Sequence, residues 1–157
     1  MRIGVVSDTH GVEAAAAACI AAAGNVDAWI HLGDYISDAK AFEAGSKPVY
    51  AVCGNMDSLH SGQRERVVEL GGHRIFLCHG HTYGVKIGLF RLSLKAKELG
   101  CSAALFGHTH IPFLDEGGDI MLLNPGSPSQ PRGNSKRCMG LIIIEGNSIE
   151  GELLRLP

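Results

Sequence analysis

The opening stretch MRIGVVSDTHGVEAAAAACIAAAGNVDAWIHLGD, residues 1–34, decides the architecture. Ile3, Val5 and Val6 form a short apolar run that stops at Asp8-Thr9-His10-Gly11. Residues 11–23 are dense in alanine, which favours helix because alanine has no side-chain entropy to lose there. Gly24 and Asn25 end that helix, and residues 26–32 form a second apolar run that stops at Gly33-Asp34. Strand, polar loop, helix and strand in this order make an α/β unit.

The same grammar continues outward. Ser37 is placed to cap a short helix reaching residue 42. Residues 49–52 then form a third strand that ends in Gly54-Asn55-Met56-Asp57. Segments 64–70 and 73–78 flank Gly71-Gly72, which predicts an antiparallel hairpin whose second strand ends in His79-Gly80-His81. Residues 86–99 carry Ile87, Phe90 and Leu94 at helical spacing, and residues 102–106 form a strand ending in Gly107-His108-Thr109-His110. Segments 111–114, 120–124, 139–145 and 149–156 then read as an antiparallel meander. The sum is βαβαβ, a hairpin, one long helix and a meander, which implies two sheets sharing one core with helices outside.

A chain of 157 residues suits a single domain, here 1–157, with a core burying roughly 68–70% of the surface that the unfolded chain exposes. The irregular segment 124–137 is expected to border a site rather than link domains. At 45% hydrophobic residues, 19% charged residues and a formal net charge of -2, the composition excludes a disordered chain, a collagen and a strongly basic nucleic-acid binder. Lys and Arg show no alternation with aromatics, so no extended nucleic-acid surface is expected. Residues 14–23 make only about half a membrane span, so no membrane segment is expected either. Asp8, Thr9 and His10 interrupt the first apolar run too early for a secretory peptide, which leaves the cytoplasm as the expected compartment. The five cysteines form no Cys-x-x-Cys pair and read as reduced, buried small hydrophobes.

The informative coincidence is where the polar groups fall. Five apolar strands end in residues able to ligate a metal: Asp8 and His10, Asp34, Asn55, His79, then His108 and His110. Ligands of open α/β sheets bind beyond the carboxyl ends of the strands, so these five segments can converge on one cleft. Adjacent glycines, Gly54 and Gly107 among them, permit close backbone approach there. Seven oxygen and imidazole donors exceed the needs of one transition-metal ion and suit two ions roughly 3.5–4 Å apart that share a carboxylate. The absence of a cysteine set argues against a closed structural zinc site. Taken singly, each residue also reads as a strand-end histidine or a helix-capping aspartate.

Asp8-x-His10, Gly33-Asp34, Gly54-Asn55, His79-Gly80 and Gly107-His108-Thr109-His110, in this order, resemble the calcineurin-like metallophosphoesterase family, in particular its small single-domain bacterial and archaeal phosphodiesterases. The resemblance spans residues 3 to about 145. It implies an α/β fold, a four-layer α/β/β/α sandwich of two mixed sheets facing each other with helices outside. It also implies that Asp8, His10 and His110 hold a first metal, that Asn55, His79 and His108 hold a second, and that Asp34 bridges them. Two divalent ions are implied, Mn first, with Ni, Zn, Fe or Co as alternatives. The implied reaction is hydrolysis of a small or nucleotide-like phosphodiester by in-line attack of a metal-bridging hydroxide.

Asp34 and Asn55 thus count as catalytic as well as ligating residues, and two further residues join them as catalytic candidates. Asp57 is placed to orient a histidine or the asparagine side chain, and His81 to give a proton or touch substrate. Many larger members of the family carry Gly-Asn-His at the third motif, whereas this chain has Met56, which has no proton to give. That departure fits the small phosphodiesterase branch and weighs against strong phosphomonoesterase activity. Tyr83 and Lys86 are candidates for bordering substrate, while His31 reads as a hydrogen-bonded core residue. The alternatives are a phosphomonoesterase or nucleotidase, and a protein-interaction scaffold on the same fold, as the related retromer subunit illustrates. A homodimer through the final strands, or a higher homo-oligomer, is a further expectation.

Overall fold

The computed structural model describes residues 1–157. The elements run β1 (Arg2–Val6), α1 (Glu13–Ala23), β2 (Ala28–His31), a 3-10 helix (Ile36–Gly45), β3 (Val49–Ala51), β4 (Glu65–Leu70), β5 (His73–Cys78), a 3-10 turn (His81–Tyr83), α2 (Phe90–Glu98), β6 (Ala103–Leu105), β7 (Pro112–Asp115), β8 (Met121–Pro125), β9 (Cys138–Glu145) and β10 (Ser148–Arg155).

Two five-stranded sheets result, ordered β10-β9-β1-β2-β3 and β4-β5-β6-β8-β7. In the first, β1, β2 and β3 are parallel, and β9 and β10 add to β1 antiparallel. In the second, β5, β6 and β8 are parallel, with β4 and β7 as antiparallel edges. Both sheets are therefore mixed, and their parallel cores bring the strand exits of each sheet to one end of the molecule.

Alternation along the strands builds the layers. Ile3 and Val5 of β1, Ile30 of β2, Ile75 and Leu77 of β5, Leu105 of β6 and Leu123 of β8 meet in the core between the sheets. The opposite face of the first sheet buries Val6, Trp29 and Met139 under Ala16, Cys19 and Ala23 of α1 and Phe42 of the 3-10 helix. The opposite face of the second buries Phe76, Cys78 and Ala104 under Leu92 and Ala96 of α2. These three apolar layers make the four-layer α/β/β/α sandwich.

The structure departs from the sequence reading in three places. The last four strands do not form one meander: β7 and β8 complete the second sheet, whereas β9 and β10 cross back to β1. Local pattern specifies a strand but not the sheet it joins. The second helix begins at Phe90 rather than at residue 86, because the chain at Gly84 turns with a positive φ of 65° and Ile87 is exposed. The short helix after β2 is a 3-10 helix whose preceding residue is Tyr35, and Ser37 does not cap it. All five cysteines are buried and unpaired. No helix is long and apolar enough to cross a membrane.

Candidate metal centre

Asp8 and His10 lie just beyond β1, Asp34 beyond β2, Asn55 beyond β3, His79 beyond β5, and His108 and His110 beyond β6. The facing sheets bring all seven to one end. Asp8, Asp34, His79 and His110 are buried. The backbone is unusual here. Six non-glycine residues have positive φ, and five of them are Asp8, His10, Asp34, His108 and His110, at 52–82°. Left-handed backbone costs a non-glycine residue about 1–3 kcal/mol, so this concentration requires surroundings that enforce it.

Hydrogen bonds on the outer edge of two imidazoles set which nitrogen faces inward. His79 Nδ1 donates to the Leu32 carbonyl (2.8 Å), and His110 Nδ1 donates to the Gln130 carbonyl (2.7 Å). In the neutral rings both Nε2 atoms are then lone pairs. His110 Nε2 lies 3.2 Å from Asp8 Oδ1 and 3.4 Å from His10 Nε2, and His10 Nδ1 lies 3.1 Å from Asp34 Oδ2. Around the second group, Asn55 Oδ1 lies 3.0 Å from both His79 Nε2 and His108 Nδ1.

The carboxylates complete the case for cations. Asp8 Oδ2 accepts the Ser7 hydroxyl (2.7 Å) and the His108 N–H (3.0 Å), but buried Asp8 Oδ1 and Asp34 Oδ2 accept no hydrogen bond. A buried carboxylate oxygen without a donor is costly, and one surrounded by imidazole lone pairs has a cation as its natural partner. The donor set thus fits divalent metal. Asp8, His10 and His110 present ligand atoms within 4.8 Å of one another, as do Asp8, Asp34 and His79. Asp34 faces both groups, with Oδ2 toward His10 and Oδ1 4.0 Å from His79.

Protons compete for the same atoms. Burial would raise the Asp8 carboxyl, but His110, His79 and Ser7 outweigh it and hold Asp8 below the usual carboxylate range. The Asp8 contact lifts His110 above the ordinary imidazole range. Burial raises Asp34. Burial, with His79 and Lys86 adding to it, pushes His108 down to about 4.

A ring of residues that are not themselves ligands holds the loops. His31, buried beneath the first sheet's exit, accepts the Gly33 N–H at Nδ1 (3.2 Å), so its Nε2–H donates to Thr9 Oγ1 (3.0 Å). The Thr9 hydroxyl donates to Asp38 Oδ2 (2.6 Å), which also takes the Gly11 N–H (2.8 Å). This chain ties the Asp8-His10 loop to Asp34. Burial pushes His31 down to about 4, so it is neutral at pH 7. The expectation of a hydrogen-bonded core histidine matches these contacts.

Asp57 differs from expectation in its partners. Its carboxylate touches neither a histidine nor Asn55. It accepts backbone N–H groups from Ile36 (2.9 Å) and Gly54 (2.8 Å), fastening the exits of β2 and β3 together. His81 packs beside two of the candidate ligands, with ring centroids 5.4 Å from His79 and 6.0 Å from His108. Arg64 donates to its Nε2 (3.1 Å), which leaves the proton of the neutral ring on Nδ1, buried without a protein acceptor. Tyr83 donates to Glu65 (2.7 Å), and His73 contacts Ser102 (3.2 Å), away from the centre.

A 170 Å³ cleft opens over the centre, lined by His10, Asp34, Asn55, His108 and His110 together with Met56, Lys86 and Arg132. Lys86 and Arg132 form no salt bridge, so two unpaired cationic side chains line it. Arg132 escaped the sequence reading, although its loop was expected to border a site. Asn124-Pro125-Gly126-Ser127, by contrast, resembles in sequence a family loop near the centre and also reads as a simple strand-ending turn with no catalytic role. Asn124 Nδ2 donates to the Gly107 carbonyl (2.9 Å) and Thr109 Oγ1 (2.9 Å), and Ser127 donates to the Asp8 carbonyl (2.7 Å).

Residues 1–147 match the family model for the calcineurin-like phosphoesterase superfamily domain. A probable metallophosphoesterase of Methanocaldococcus jannaschii is 38% identical over 98% of this chain and 81% of its own length. A phosphodiesterase of the same organism is 29% identical over 80% of this chain and 83% of its own. Among solved structures, a predicted phosphoesterase from Streptococcus pneumoniae superposes with a TM-score of 0.82 at 32% identity, covering 98% of this chain and 88% of that one. Zinc-complexed Vps29 from Entamoeba histolytica shares the fold, with a TM-score of 0.71 at 19% identity and 98% of each chain covered. Family model, close relative and ordered strand-end motifs agree, and the chain belongs to the calcineurin-like phosphoesterase superfamily.

Proposed function

We propose that this protein is a divalent-metal-dependent phosphodiesterase acting on a small diester. The observation that carries the reading is the inward lone pairs of His79 and His110, each fixed by a backbone carbonyl, around two buried carboxylate oxygens that accept no hydrogen bond. Asp8, His10 and His110 would hold one cation and Asn55, His79 and His108 the other, with Asp34 between them. When bound, such cations acidify water for attack at phosphorus and neutralise phosphoryl oxygens.

The chain's own groups do the rest. Asp8 and Asp34 give the ligand shell a formal charge of -2, so two divalent ions leave it net positive toward an anionic ester. Lys86 and Arg132 line the cleft and draw the diester's non-bridging oxygens to it. His81 packs against His79 and His108 without lining the cleft, so it positions those imidazoles. Asp57 positions Asp34 and Asn55 through the backbone. Met56 lines the cleft where a proton donor would aid a poor leaving group, which favours diesters over alkyl monoesters. The phosphodiesterase among the relatives supports the same choice.

The test is the rate of bis(4-nitrophenyl) phosphate hydrolysis by metal-stripped protein reloaded separately with Mn, Ni, Zn and Mg. Restoration by at least one metal, with Asp34→Asn lowering the rate at least tenfold, is expected. A 4-nitrophenyl phosphate control, which shares the leaving group, separates diester from monoester preference. No metal-dependent rate above the Asp34→Asn protein would end the proposal.

A further inference from the structure

A second cavity adjoins the metal centre. It measures 280 Å³ and is lined by Val85, Leu89, Phe106, Ile111 and Phe113, with Lys86 and Thr109 at its edge. Lys86 also lines the cleft over the centre, and Thr109 stands between the ligand-set histidines His108 and His110, so the two spaces share a wall. A cavity of about 150 Å³ holds a benzene ring, so the space admits one ring system.

Its chemistry is one-sided. The Thr109 hydroxyl is already engaged, donating to the Ile111 carbonyl (3.2 Å) and accepting from Asn124 Nδ2 (2.9 Å). That leaves Lys86 as the free polar group, at the end nearest the centre. The apolar wall is only partly covered: Ile111 is 48% exposed and Phe113 38%. Apolar side chains gathered beside a charged catalytic cleft mark a binding surface more than scattered surface residues do.

We propose that this cavity is a subsite for an apolar, ring-sized ester group of the substrate, with Lys86 at the junction holding the phosphoryl end. The assignment rests on the phosphodiesterase reading and narrows its substrate class. A ligand with an anionic phosphoryl head and an apolar ring matches the layout, cation at one end and hydrocarbon at the other. A group rich in hydrogen-bonding edges would meet no free partner inside. The alternative occupant of such a face is a protein surface, including a second copy of this chain.

The experiment titrates zinc-loaded, 15N-labelled protein with phenylphosphonate and methylphosphonate, two non-hydrolysable probes that share a head group. Phenylphosphonate should bind at least tenfold more tightly and should alone shift the amides of Val85, Leu89, Thr109, Ile111 and Phe113. Ile111→Ser and Phe113→Ser replace exposed side chains. Together they should reduce the preference below threefold while methylphosphonate binding stays as it was, which also shows the fold intact. Lys86→Gln should weaken both probes alike and leave their ratio unchanged. Equal binding of the two probes, ring-dependent shifts elsewhere, or a preference surviving the double substitution would overturn the subsite. Loss of self-association in the double variant with the preference unchanged would assign the face to a second copy instead. A ring preference without metal-dependent hydrolysis would refute the phosphodiesterase reading but support the cavity as a ring site.

Discussion

Replacing His31 with phenylalanine tests whether the hydrogen-bonded chain from Gly33 through His31 and Thr9 to Asp38 holds the loops that carry the candidate metal ligands. His31 is 1% exposed and burial pushes it down to about 4 from 6.5. A histidine that is harder to protonate folded than unfolded contributes stability that is full above pH 6.5 and is lost as pH falls toward 4. The whole interval is worth about 3 kcal/mol, of which roughly 2 kcal/mol disappears between pH 7 and pH 5. Phenylalanine removes that dependence. It also orphans the buried Gly33 N–H, at a cost of about 1–3 kcal/mol that is the same at every pH. Urea unfolding at pH 7, 6 and 5 in EDTA, which sets metal linkage aside, should therefore find the His31→Phe protein less stable at pH 7 and nearly level with the original at pH 5. The difference between the two proteins cancels the titration of the other histidines. A gap that stays constant across this range would refute the reasoning, since it would mean that His31 carries no proton linkage.

Three further outcomes follow from the same geometry. Asp57→Ala, which frees the N–H groups of Ile36 and Gly54, should cost about 2 kcal/mol in urea unfolding, and Asp57→Asn, which keeps one acceptor oxygen, should recover about half. Gly54→Ala should lower metal affinity more than tenfold by calorimetry with an intact circular dichroism spectrum, because a Cβ there would collide with the Asp34 backbone. Metal loading at pH 7 should raise the melting temperature, and the gain should shrink as pH falls, because His110, lifted by Asp8, takes a proton at the nitrogen that faces the cation. A melting temperature indifferent to EDTA would contradict that account.

The amino-acid sequence alone determined the strands and the polar residues at their ends. The apolar runs of β1 and β5, the alanine run of α1 and the Gly71-Gly72 turn are local signals that read the same in any context. The ordered strand-end residues from Asp8 to His110 were legible too, because parallel strands deliver their exits to one edge. Tertiary structure decided the rest. Only sheet pairing sends β9 and β10 to β1 while β7 and β8 join β6, because hydrogen-bonding partners are chosen by which apolar faces remain uncovered after the cores form. Only the fold turns the protons of His79 and His110 outward to the carbonyls of Leu32 and Gln130, far away in the chain. It likewise brings Lys86 and Arg132, 46 positions apart, into the lining of one cleft. A side chain's type is written locally, but the direction of a lone pair depends on backbone groups that only packing brings beside it.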